Sequence, residues 1–216
     1  GNAVDDAWLG IDTTQEIDIS NHPLFIREQF FLDNPGIAET YCLRQIDYIG
    51  WTAHKILGLK LHPFQMVVQQ ELLNHSFPMF VGARGCSKTF SLAVFSLLTA
   101  VLNPGYKVVV AGAAFRQSKA IFQYATQILY NSSILRSMCG KNWKVKEDPD
   151  RLTMHLNDST ITAIPIGDGE KIRGLRSNCT VVDEFKSHNP RIVEEVLFGF
   201  GSVKADPVNA VIQQAR

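Results

Sequence analysis

Residues Phe80–Leu98 read FVGARGCSKTFSLAVFSLL. A short apolar run ends at a glycine, a polar loop follows, and a long apolar stretch begins at Lys88-Thr89. The spacing approaches G-x-x-x-x-G-K-[ST], in which backbone N–H groups of a loop and the next helix cradle phosphates. Gly82 opens the loop; Ala83, Arg84, Gly85 and Cys86 fill it; Lys88 and Thr89 close it. Ser87 stands where the pattern has its second glycine, which matters if position 87 needs a positive φ or close approach to a ligand. On the phosphate-binding reading, Lys88 reaches the β/γ-phosphates and the Thr89 hydroxyl ligates Mg2+. The alternative is a strand–turn–helix corner with a surface lysine.

Met79-Phe80-Val81 reads as a strand entering the loop, and KTFSLAVFSLLTAVLN as the helix leaving it. Beyond these, GYKVVVAGA is a β-branched run of buried-strand type, and FRQSKAIFQYATQILYNS is amphipathic at helical spacing. LTMHLNDSTITAIPIG alternates like two short strands about the turn LNDS. NCTVVDEF is another buried strand, and NPRIVEEVLFGF opens a last helix. Upstream, Tyr41, Ile46, Ile49 and Ile56 recur at helical spacing with Gly58 as a stop, and HPFQMVVQQELLNH forms a second helix with Pro63 in its first turn. Strands alternating with helices predict an α/β fold whose central sheet is mainly parallel and flanked by helices. The expected organisation is an N-terminal extension and helical segment over 1–58, then a nucleotide-binding core over 59–216.

A phosphate loop needs a carboxylate partner on a nearby strand. CTVVDEF supplies Asp183 and Glu184 at the C-terminal end of an apolar strand, where α/β sheets bind ligands. Asp183 is the expected metal partner, directly or through water, and Glu184 the general base for an attacking water. Helix capping by the same pair is the alternative. With strands between the two motifs, the order is that of P-loop NTPases of the additional-strand, catalytic-glutamate type.

Bulk composition adds exclusions. The 21 Lys+Arg balance the 21 Asp+Glu, so no global field draws the chain to nucleic acid, although a local stripe suffices for that. Cys42, Cys86, Cys139 and Cys179 form no C-x-x-C pair and read as reduced thiols. The six histidines show no metal spacing. No 18-residue apolar run or signal pattern is present, which predicts a soluble, cytoplasmic protein. The opening Gly-Asn reads as a tag remnant, and VIQQAR suggests a truncated end.

With these residues in place, the chain resembles the ATPase domain of the large terminase subunit, the DNA-packaging motor of tailed bacteriophages. GARGCSKT looks like that family's variant phosphate loop with an early arginine, Arg84. HPFQ resembles an adenine-recognition motif whose glutamine, Gln65, meets the adenine edge. VVVAGAAFRQSKAIF resembles the segment after the phosphate-loop helix. KIRGLRSNCTVVDEF resembles the arginine-containing loop that runs into the metal-binding strand, and it is the most specific of the four. Together they cover roughly Leu61–Phe198.

The resemblance implies an ATP-hydrolysing, Mg2+-dependent motor that translocates double-stranded DNA in the bacterial host cytoplasm. The implied partners are a portal protein, the small terminase subunit and further copies of the chain in a homo-oligomeric ring. It implies Arg173 as an arginine finger toward a neighbouring subunit, Arg84 as a cis-acting cation and Arg176 as a second finger candidate. Surface ion pairs are the alternative for each, and Arg116 is a weaker candidate of the same kind. The family's coupling motif and its C-terminal nuclease domain have no match, so DNA cleavage is not expected. A helicase-like DNA-dependent ATPase shares the order of glutamine, phosphate loop and acidic pair; a nucleotide-gated assembly module would be expected to lack Glu184. The basic run KNWKVK, Lys141–Lys146, is a DNA-contact candidate or a solvated loop.

Overall fold

Lys107–Gly112 carries three consecutive valines, and a strand of this kind is stable only when both of its faces are covered. The computed structural model describes residues 23–112, 114–139, 145–148, 151–156, 158–165 and 176–185, with Arg191 and Val208. In it this run is strand β1, Lys107–Gly112, buried from Val108 onward. The other strands are β2 (Lys146–Asp148), β3 (Arg151–Leu156), β4 (Ser159–Pro165) and β5 (Cys179–Val182), in the order β2-β3-β4-β1-β5.

The sheet is mixed rather than mainly parallel. β1 pairs in parallel with both β4 and β5, whereas β3 pairs antiparallel with both β2 and β4. The reason is local: Leu156 lies opposite Ser159, and so tight a turn can join only antiparallel strands. The alternating pattern of residues 152–165 predicts this pair.

The helices are α1 (Pro23–Asp33), α2 (Pro35–Leu43), α3 (Ile46–Thr52), α4 (Pro63–Asn74), α5 (Lys88–Leu102), α6 (Phe115–Asn131) and α7 (Ser133–Met138). α3 widens into a π-helical turn over Ala53–Leu57, which Gly58 ends in the left-handed conformation at φ 70°. Pro63 stands at the start of α4, where a missing N–H is harmless. α5 is apolar around nearly its whole circumference and is accordingly buried from Ala93 to Ala100. α6 is one-sided, with Ile121, Phe122, Ala125, Ile128 and Leu129 turned inward.

One core joins these layers. Ile49, Ala53 and Leu57 from the N-terminal helices share it with Leu97 and Leu98 of α5, Phe122 of α6 and Ile161 of β4. Polar pins accompany the apolar packing. The buried Arg44 guanidinium donates to the Leu73 carbonyl and to Asn103 Oδ1. The Ser159 hydroxyl bonds the Ala100 and Asn103 carbonyls at the end of α5 and accepts from the Tyr106 N–H. Ser132 caps α7 and also donates to the Ile56 carbonyl in the π turn.

The expected strand Met79–Val81 is not formed. Residues 77–83 lie outside the sheet, and Phe77, Met79 and Val81 are 87%, 78% and 82% exposed. A three-residue run has no strand geometry of its own; it acquires one only by pairing its N–H and C=O groups with a neighbour. Among the described residues none pairs with it. The expected last helix, residues 189–200, falls outside the described residues except for Arg191, as does most of the basic run; its Lys146 opens β2 and pairs with Asp148 at 3.4 Å.

Gly112 ends β1 where α6 approaches most closely. A Cβ there would stand 2.8 Å from the Ser118 backbone nitrogen and 3.0 Å from the Ala114 carbonyl oxygen. Gly112→Ala should therefore destabilise the fold by about 1–3 kcal/mol, as overpacking does. Gly36→Ala, a helical position with open space around the added methyl, should instead stabilise by up to about 1 kcal/mol. Urea unfolding of the two variants beside the parent checks both.

Candidate active site

Residues 82–89 form a turn into the first residues of α5. Two of them adopt positive φ: Gly85 at 84° and Ser87 at 53°. Position 87, where the sequence pattern lacks its glycine, is thus a left-handed position held by a serine. Left-handed residues in a short loop turn successive N–H groups toward one side, a geometry suited to anions. The first intrahelical bond of α5 runs from the Ser91 N–H to the Ser87 carbonyl, so the N–H groups of Lys88, Thr89 and Phe90 have no intrahelical partner. The helix dipole adds partial positive charge at the same end.

Lys88 folds back over this loop, its Nζ donating to the Gly82 carbonyl at 2.5 Å and to Ala83 at 2.9 Å. Gly82 leaves little spare room, since a Cβ would lie 3.2 Å from Cys86 Cβ. Arg84 is exposed and, among the described residues, makes no hydrogen bond or ion pair; Cys86 is half-buried, its N–H donating to the Ala83 carbonyl. Thr89 is half-buried in the first turn of α5.

Asp183 and Glu184 follow β5 directly. The Asp183 N–H donates to the Ala111 carbonyl of β1 at 3.1 Å, extending the parallel pairing past the strand's last residue. Asp183 Oδ1 accepts from the Glu184 N–H at 2.9 Å. Glu184 itself has φ 49°, and its exposed carboxylate accepts a 2.7 Å hydrogen bond from Gln117 Nε2. Among the described residues no group of three or more His, Cys, Asp or Glu could hold a metal ion. A magnesium ion needs no such cage, since one or two oxygen ligands joined to substrate phosphates suffice; Thr89 and Asp183 have the right donor chemistry.

Gln65 is buried rather than solvated. Its Oε1 accepts from the His62 N–H at 2.9 Å, so the residue closes the start of α4, and its amide nitrogen makes no hydrogen bond among the described residues. Arg176 is exposed beside the start of β5. Arg173 falls outside the described residues. The structure thus joins Lys88 to Gly82 and Ala83, Asp183 to Glu184, and Gln65 to its own helix end. Sequence reasoning missed Gln117. The available signal was its third position after the N-cap of α6, the same place that Gln65 occupies in α4.

No protein-family profile matches this chain. No curated protein matches it either. Among solved structures it is similar to the large terminase from the thermophilic bacteriophage D6E, at 14% identity and a TM-score of 0.40. That superposition covers 54% of this chain and 29% of the terminase chain.

The left-handed serine gives a test of the loop itself. A non-glycine residue at such a φ costs about 1–2 kcal/mol, partly offset by the chain entropy that glycine adds to the unfolded state. Ser87→Gly should leave the fold intact and stabilise it by up to about 1 kcal/mol, whereas Gly85→Ala should destabilise it; urea midpoints decide.

Proposed function

We propose that the chain is an ATP-hydrolysing motor domain of the terminase type, acting on double-stranded DNA. One observation carries the hydrolytic part. The start of α5 presents N–H groups without an intrahelical partner behind a loop with two left-handed residues, and Lys88 Nζ sits over that loop on carbonyls it can exchange for phosphate oxygens. The motor part rests on the IRGLR…VVDEF run and the glutamine that precedes the phosphate loop.

In this reading the N–H groups of residues 82–89 hold the phosphates, and Lys88 neutralises charge on the β/γ oxygens. The Gln65 amide nitrogen meets the adenine edge. Thr89 and Asp183 would hold Mg2+, which when bound would supply neutralisation of phosphate charge. Glu184 accepts a proton from the attacking water as its oxygen bonds to the γ-phosphorus and the bond to the β-bridging oxygen breaks, giving ADP and phosphate. Arg84 stabilises that charge in cis, and Arg173, with Arg176 as the second choice, does so from a neighbouring copy in a ring. Portal protein and small terminase subunit are the proposed partners, and the bacterial cytoplasm the proposed place of action.

Lys88→Ala should lower kcat/KM for MgATP by about 10²–10³-fold, as loss of a preorganised charge does. Glu184→Gln should keep nucleotide binding and lower kcat by about 10²–10⁴-fold. Steady-state phosphate release with a parallel fluorescent-nucleotide titration measures both, and unchanged turnover in either variant counts against the assignment. For the finger, Arg173→Ala should be slow alone and partly recover when mixed with Glu184→Gln protein, because each supplies what the other lacks. Absence of recovery over a range of protein concentrations would argue against action between copies.

A further inference from the structure

Gln117 is fixed at both ends of its amide. Its Oε1 accepts from the Ala114 N–H at 3.1 Å, and its Nε2 donates to Glu184 Oε2 at 2.7 Å. The first bond decides the orientation of the second: a backbone N–H can only donate, so the oxygen faces Ala114 and the NH2 faces the carboxylate. The helix turn that carries Gln117 is seated as closely as the backbone permits. Gly112 has no Cβ to hold it off, and an added one would lie 3.0 Å from Gln117 Cβ. The carboxylate belongs to the neighbouring strand, whose Val182 is in register with Ala111 and whose Asp183 N–H continues the ladder onto the Ala111 carbonyl. Glu184 is exposed, left-handed at φ 49° and one residue from the bend that ends the strand. A carboxylate so placed is free to turn among rotamers unless something holds it. Among the described residues, the Gln117 amide is the side-chain donor that meets it.

We infer that Gln117 is a positioning residue for Glu184: its amide fixes one carboxylate oxygen so that the other is presented to the attacking water. The inference rests on the hydrolytic reading above. A neutral donor suits the task, because it orients one carboxylate oxygen and leaves the other open to the attacking water. No atom of Gln117 enters the reaction.

Gln117→Glu separates this role from helix capping. The new side chain retains an oxygen for the Ala114 N–H, and its charge suits a helix N-terminus. It replaces the donor toward Glu184 by a second carboxylate. The expected result is a kcat lowered about 10–100-fold, the range found when a group that orients a reacting ligand is lost. KM for MgATP should stay within about twofold, and the urea midpoint should not fall. Turnover unchanged in Gln117→Glu but lost in Glu184→Gln would overturn the positioning role and leave the hydrolytic reading standing. A raised kcat would also overturn it, since the amide would then hold the carboxylate away from water. Turnover unchanged in Lys88→Ala removes the hydrolytic reading and the positioning role with it. The interaction has a readout without turnover: the side-chain amide signal absent from the 15N spectrum of Gln117→Glu should move in Glu184→Gln. A signal that stays in place would overturn the inference whatever the kinetics.

Discussion

Strand β1 is bonded in parallel on both sides, and that double pairing governs where everything else can lie. Parallel neighbours put their C-terminal ends at the same edge of the sheet. Ala111 stands beside Ile164 on one flank and Val182 on the other. The chain must leave β1 at this edge into α6, and it leaves β5 there into Asp183 and Glu184. The first turn of α6 and the acidic pair are therefore neighbours by topology, before any side chain is considered. Gly112 then sets how near they come. The extra hydrogen bond from the Asp183 N–H to the Ala111 carbonyl carries the strand register into the acidic pair, so the aspartate inherits its position from the sheet.

The loop before α5 is positioned by different means. α5 is anchored along its length by apolar burial, and at its end by the Ser159 and Arg44 hydrogen bonds. Its first turn is thus presented on a rigid rod, as a site that must meet a ligand within a fraction of an ångström requires. The residues ahead of that turn are held more lightly, through Lys88 and the Ser87 carbonyl. A rigid helix end thus stands behind a loop whose carbonyls, at Gly82 and Ala83, hold the Lys88 ammonium.

Much of this was legible in the sequence where one signal sufficed. The valines of β1, the alternation of β3 and β4, the apolar length of α5 and the period of α6 each specify an element through burial, and each appears. Met79–Val81 failed because strand formation is a property of two segments, and the apolar run named only one. The mixed sheet was readable from the Leu156–Ser159 turn but was outweighed by the general order of strands and helices. In the candidate site, Lys88 announces itself by its charge ahead of an apolar run, and Asp183 and Glu184 by theirs after one. Gln117 does not, since a glutamine in the first turn of an amphipathic helix looks like any solvated residue. Its meaning depends on a partner 67 positions away. Gln65 was singled out for its amide, yet in the structure it is buried and its oxygen closes the start of α4 on the His62 N–H.

Arg44 has a consequence for how the molecule comes apart. A guanidinium cannot shed its charge at any ordinary pH, so once buried it depends on the acceptors arranged around it. Here those acceptors come from the ends of two different helices, the Leu73 carbonyl in α4 and Asn103 after α5, while Arg44 itself follows α2. Losing either helix end would remove one of the acceptors that hold this buried cation. Partial opening is thereby penalised well beyond the apolar area it would expose. The N-terminal helices, the helix behind the loop and the hairpin pinned by Ser159 should therefore open as one cooperative unit, whose amides share a common opening free energy in hydrogen exchange.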